Sequence, residues 1–65
     1  MSQYTYALSA QIEMRRYPFA ALIMASMRQA DSENLRKLQD AFPAVWAEFY
    51  ARHHAPGGQL PGEEI

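Results

Sequence analysis

Three prolines divide this chain into short segments and restrict it to short helices. Pro18, Pro43 and Pro56 lack the backbone N–H that the interior of a helix or a central strand needs, so each marks a boundary. Proline suits the first turn of a helix, where that N–H is not used. Pro18 and Pro43 therefore predict the starts of two helices, and Pro56, which two glycines follow, predicts a helix end.

The spacing of apolar residues after Pro18 predicts two consecutive helices. Residues 18–30 are apolar almost all round, which is typical of a helix buried on several sides. Asp31 can then cap the next helix through its carboxylate, and Glu33 places negative charge where the helix dipole favours it. We expect this second helix over residues 32–41, with its leucines facing inward.

The helix predicted over residues 43–54, together with Phe42 just before it, carries a stripe of aromatic side chains. Its stripe consists of Phe42, Trp46, Phe49, Tyr50 and His53. Large aromatic rings dominate small cores, so the stripe predicts that Trp46 is a core residue. Glu48 and Arg52 are one turn apart in the order that favours an ion pair.

The first segment fits two structures. Apolar residues alternate strictly over Tyr4, Tyr6, Leu8, Ala10, Ile12 and Met14, and alternation is the pattern of a strand. Tyr4, Leu8 and Ile12 are also spaced by four, as in a helix, and good helix formers follow. We expect a helix over residues 9–16 and an extended start over residues 3–6, with a strand as the open alternative.

The chain is short for an independent domain and lacks the usual covalent or metal supports. With 65 residues and no cysteine, it has no disulfide or thiolate metal site to compensate for a small core. Yet 49% of its residues are hydrophobic, more than a lone three-helix unit can cover. The sequence therefore predicts an all-α domain of three to four helices over residues 1–55, followed by a flexible tail over residues 56–65. It also predicts self-association through the helix 18–30 and the tyrosines before it.

Composition and motifs argue against several classes of function. The formal net charge is −1, whereas non-specific nucleic-acid binding usually needs a basic surplus. No signal peptide is recognisable and the longest apolar run is too short to span a bilayer, so we expect a cytoplasmic protein without a membrane partner.

His53 and His54 are adjacent, and adjacent side chains on a helix diverge. With no nucleophile–base set and no glycine-rich phosphate loop, we expect no enzyme, no metal and no cofactor.

One run suggests a ligand site. Arg15, Arg16 and Tyr17 precede the break at Pro18, and guanidiniums beside an aromatic ring can bind a phosphate or stack on a base. The free N–H groups at the start of the following helix also favour anions. The sequence therefore predicts that an anionic ligand contacts these three residues, with Arg28 as a fourth contact. A solvated helix end, where cations offset the helix dipole, also explains the arginines.

The stretch from residue 12 to residue 58 resembles small proteins of undefined function that phages and prophages encode. The resemblance is carried by Arg15-Arg16-Tyr17-Pro18-Phe19, Asp31-Ser32-Glu33-Asn34-Leu35, Phe42-Pro43 with Trp46, and Ala55-Pro56-Gly57-Gly58. It implies a protein of the host cytoplasm that acts in an infected cell. Small phage proteins often act as stoichiometric inhibitors or sponges of host defence factors, so the resemblance also implies a binding role.

Two functions follow from these observations. The first is a non-enzymatic helical interaction protein that forms a homo-oligomer and binds a protein partner or a small anionic ligand. The alternative is a ribbon-helix-helix DNA-binding regulator, in which the alternating first segment forms the ribbon. Gln11, Glu13 and Arg15 would then enter the major groove. Pro43, which ends the second helix early, and the net charge argue against this alternative.

Overall fold

The first 63 residues form an all-helical chain. The computed structural model describes residues 1–63, and no strand occurs among them. Its elements are α1 (Gln3–Met14), α2 (Phe19–Gln29), α3 (Ser32–Ala41), α4 (Pro43–His53) and a short 3₁₀ turn, Pro56–Gly58. The predicted small all-α domain is confirmed. None of the helices in the described part is long and apolar enough to cross a membrane.

The extended start predicted for residues 3–6 is wrong, because α1 already begins at Gln3. The side chain of Ser2 caps the helix: its Oγ accepts a hydrogen bond from the backbone N–H of Thr5 at 3.2 Å. A serine cap satisfies one of the free donors of the first turn. This local hydrogen bond favours a helix, which the four-residue spacing predicts, over the strand that the alternation of the same residues predicts.

The other helix boundaries follow the prolines and the acidic cap. Pro18 is the cap of α2, with extended backbone (ψ 144°), and Pro43 is the first residue of α4. Asp31 caps α3 as predicted, since its Oδ1 accepts a hydrogen bond from the backbone N–H of Asn34 at 2.9 Å. Local chemistry therefore accounts for where these helices begin.

Helices α2, α3 and α4 pack against one another around a very small core. Within the described residues, only Met27 of α2 and Phe49 of α4 are buried, with 3% and 8% of their surface exposed. Trp46 packs against Phe49 and Tyr50 with ring centroids 6.0 and 5.6 Å apart, but it is only half-buried. The core is centred on Phe49 and not on the tryptophan.

Helix α1 does not pack against any other helix, and every one of its residues is exposed. The radius of gyration is 13.9 Å, against about 11 Å for a compact domain of this length. The accessible surface of 5741 Å² exceeds the value for a compact monomer of this size by roughly 1,500 Å². The single chain is therefore elongated, with one helix left without a partner.

The chain after α4 folds back onto the end of that helix through Arg52. The guanidinium binds the carbonyl of Gly58 at 3.0 Å and the two carboxylate oxygens of Glu63 at 2.7 and 2.5 Å. Its Nε also donates to Glu48 at 2.9 Å, the predicted pair within α4. Residues 56–63 are thus held by one arginine. The final two residues of the predicted flexible tail, 64 and 65, lie outside the described residues, and the flexibility of the tail stays a prediction.

We expect acid to release this tail. Hydrogen bonds from Arg52, and from the backbone of Leu60, lower the pKa of Glu63 to about 2, from 4.5. A depressed carboxylate pKa adds stability that is fully present above the ordinary pKa and is lost as pH falls toward the lowered one. Protection of the Leu60 amide from hydrogen exchange should therefore fall between pH 4.5 and pH 2. In Glu63→Gln this fall should be absent, because the amide side chain does not titrate, and the same fall in both proteins would contradict the contact.

We also expect Phe49 to be more important for stability than its aromatic neighbours. Phe49→Ala should cost about 3–5 kcal/mol, which is a large part of the roughly 3–10 kcal/mol of stability expected for a chain of this length. Tyr50→Ala is the matched control, because Tyr50 lies on the same helix but is 53% exposed, and should cost about 1 kcal/mol or less. Trp46→Ala should fall between the two. Urea unfolding followed by circular dichroism gives the order, and a larger loss in Tyr50→Ala than in Phe49→Ala would contradict this core.

Candidate functional site

Helix α1 presents a large apolar surface to solvent. Tyr4 and Tyr6 are 73% and 77% exposed, and Leu8, Ile12 and Met14 are exposed as well. Tyr4, Leu8 and Ile12 are spaced by four and form one continuous stripe along the helix. Contiguous apolar surface on a small protein commonly marks an interaction site.

An open groove lies between the end of α1 and the outer side of α2. It consists of two adjoining hollows of about 430 and 550 Å³ that share Ile12, Tyr17 and Leu22. The remaining lining residues are Ser9, Glu13, Arg16, Ala21, Ala25, Ser26 and Gln29. We call this feature the α1–α2 groove. Its walls are mostly apolar, and its only charged side chains are one acid and one base.

Helix α2 has two apolar sides, and its own chain covers only one. Met27 is buried where α2 packs against α3 and α4. Ala21 and Ala25 line the groove, and Ala25 lies about 200° around the helix from Met27. The sequence predicted a helix buried on several sides. In the single chain, the side that carries the two alanines remains exposed.

The corner between α1 and α2 depends on a residue in an unfavourable backbone conformation. Arg16 has φ 59°, the only positive φ among the described residues other than glycine. Its N–H bonds the carbonyl of Glu13 at 3.1 Å, and the N–H of Arg15 bonds the carbonyl of Ile12 at 3.0 Å. This is the usual way to end a helix, but glycine normally occupies the left-handed position. The turn ends α1, and Pro18 then starts α2 on a new axis.

The predicted anion-site residues lie in different surroundings. Arg16 and Tyr17 line the α1–α2 groove, whereas Arg15 and Arg28 do not. The guanidinium of Arg28 lies 5.4 Å from the centre of the Phe49 ring, where it forms a cation–π contact. Glu13 shares the groove with Arg16 and offsets its charge. The anionic-ligand site stays a prediction, and the groove itself is better suited to an apolar occupant.

The side chains that could support acid–base chemistry on α4 are engaged in structural contacts. His53 stacks on Phe49 with ring centroids 5.5 Å apart, and His54 lies 4.4 Å from Tyr50. Glu48 is bound to Arg52. Among residues 1–63, no group of three histidine, aspartate or glutamate side chains is placed to hold a metal ion.

The DNA-binding alternative depended on an extended first segment. Residues 3–14 form α1, so Gln11 and Glu13 lie on a helix and not on a ribbon. The observation that suggested this alternative is therefore missing from the described part of the chain. It stays an untested prediction, for which the described residues supply two consecutive helices but no ribbon.

The site that results is an exposed apolar helix beside an unfilled apolar groove. Sequence reasoning predicted the tyrosines and α2 as an interface. It also noted the four-residue spacing of Tyr4, Leu8 and Ile12, but it did not include Leu8 and Ile12 in that interface, because the alternation left a strand open as the alternative. No protein-family model matches the chain, and neither a curated protein nor a solved structure is significantly similar to it. The function must therefore be argued from this geometry.

We expect glycine at position 16 to strengthen the corner. A non-glycine residue in the left-handed region costs about 1–2 kcal/mol, so Arg16→Gly should stabilise the end of α1 by about 1 kcal/mol. Arg15→Gly is the matched control, because Arg15 has a helical φ of −80°, and glycine there should destabilise by about 0.5–1 kcal/mol. Hydrogen exchange at the amides of residues 15 and 16 reports both effects. Faster exchange in Arg16→Gly than in the parent would contradict this account of the corner.

Proposed function

We propose that this chain is a non-enzymatic interaction protein that works as a homo-oligomer, assembled through α1. The observation that carries the proposal is that α1 packs against no other helix, yet displays a continuous apolar stripe. An apolar helix face is stable in water only when something covers it. A second copy of the chain is always available to do so.

The length of α1 supports the proposal. Isolated helices of about 12–15 residues or fewer are marginal in water, because nucleation is costly and packing supplies most helix stability. Helix α1 has 12 residues, and no ion pair joins its turns in the described chain. Its helical state therefore requires packing that its own chain does not supply.

The exposed area is also sufficient for a stable contact. A standard protein interface removes about 800 Å² from each partner. The surface excess of this chain, roughly 1,500 Å², is larger than that. Glu13 is the only charged side chain in α1, so two copies of this helix can approach without strong repulsion.

The remaining surroundings favour binding over catalysis. His53 stacks on Phe49, the ring of His54 packs at a tilt against Tyr50, and Glu48 pairs with an arginine. These contacts orient the side chains for stability and not toward a common substrate position. In this proposal the assembled protein acts by stoichiometric binding, the mode that the resemblance to small phage proteins implies.

Mass determination in solution tests the proposal. The parent should be oligomeric at concentrations of roughly tens of micromolar, a weak-association range. Leu8→Arg should be monomeric and less helical, because the charge prevents burial of the stripe and an uncovered α1 frays. Ala47→Arg is the matched control, since it places the same side chain at an exposed alanine of α4, and it should associate like the parent. A monomeric parent at these concentrations would refute the proposal.

A further inference from the structure

We infer that the α1–α2 groove is the docking site for α1 of a second copy, in a reciprocal contact between two chains. This inference rests on the proposed function and goes further, because it names the surface that receives the helix. In a two-fold contact each copy contributes the same two surfaces. Each chain would therefore supply one inserted helix and one groove.

The uncovered side of α2 is the first reason. Leu22, Ala21 and Ala25 form an apolar wall opposite the core-facing Met27. The wall needs a covering element, and α1 is the only helix of the described chain without a packing partner. Its own α1 does not pack against the wall, since the turn at Arg16 ends α1 and Pro18 begins α2 as a separate helix.

The dimensions of the two surfaces also agree. With a rise of 1.5 Å per residue, α1 is about 18 Å long and α2 about 16 Å, so one helix can cover the other over its full length. Ala21 and Ala25 are one turn apart, and their small side chains permit a close approach of two helix axes, near the lower end of the usual 8–10 Å. A bulkier pair would hold an incoming helix away.

The stripe on α1 matches the groove in chemistry. Tyr4 and Leu8 are exposed and lie outside the groove lining, so they are free to enter the groove of another copy. Ile12 continues the same stripe and forms part of the groove itself. The stripe and the groove therefore meet at Ile12. In the reciprocal contact, the α1 helices of the two copies would cross each other near this residue. The single acid and single base of the groove, Glu13 and Arg16, add no net charge to the contact.

Engineered disulfides test this arrangement, because the natural chain has no cysteine and every disulfide between single-cysteine chains is intermolecular. Chains with Leu8→Cys are mixed with chains that carry one cysteine at Ala21, Ala25 or Gln29, three positions that sample the register along α2. Different tags identify the products after oxidation. Ala47→Cys is the control position, and mass determination first establishes that each variant still associates.

We expect a mixed disulfide between position 8 and at least one of the α2 positions, in clear excess over the product with position 47, because the bond forms only between closely apposed residues. Ala25→Arg should abolish association, while Ala47→Arg should not. If the oligomer persists but cysteine 8 links only to itself, or to no groove position, the groove is not the docking site and the proposed function still stands. If the parent is monomeric, both the inference and the proposed function fail.

Discussion

The packing of α2 against α4, the helices that carry the two buried residues Met27 and Phe49, supports the rest of the fold. Met27 is the most buried side chain described, and Phe49 is the other buried residue. Other contacts are added around this ring: Arg28 lies over it, and His53 stacks on it. Two buried side chains make a very small core, even for a chain of this length. The fold therefore has little stability in reserve, and any further burial of apolar surface has a large effect on it.

The direction of α1 follows from the corner at Arg16 and Pro18. A left-handed residue ends the helix, and the proline begins the next helix on a new axis. Because α1 then cannot cover α2 in the same chain, two apolar surfaces remain exposed. Covering them with another copy would couple folding of α1 to association, so that the helical content depends on protein concentration. An arginine in place of glycine at this corner weakens it, but it also supplies a charge at the groove.

The far end of the chain is organised by charge and not by apolar burial. Arg52 joins Glu48 of α4 to Glu63 and to the carbonyl of Gly58. These bonds raise the pKa of Arg52 above its usual range, through Glu63 first and Glu48 second. An exposed network of this kind is sensitive to salt and acid. The apolar surfaces at the beginning of the chain do not share this sensitivity, since they carry few charges.

The helix boundaries after residue 17 could be predicted to within about one residue from the sequence, because they depend on local chemistry. Proline at 18 and 43 and the carboxylate of Asp31 act within one turn, so they can be read without knowing the fold. The first segment fitted both a helix and a strand, since alternation and four-residue spacing coexist there. The buried side of α2, and the central place of Phe49 in preference to Trp46, follow from how the helices pack and could not be predicted from the sequence. Both rings lie on the same predicted stripe, and the placement of α2 against one of them depends on residues distant in sequence. The groove is likewise a product of two helices and one turn, and no single segment of the sequence contains it.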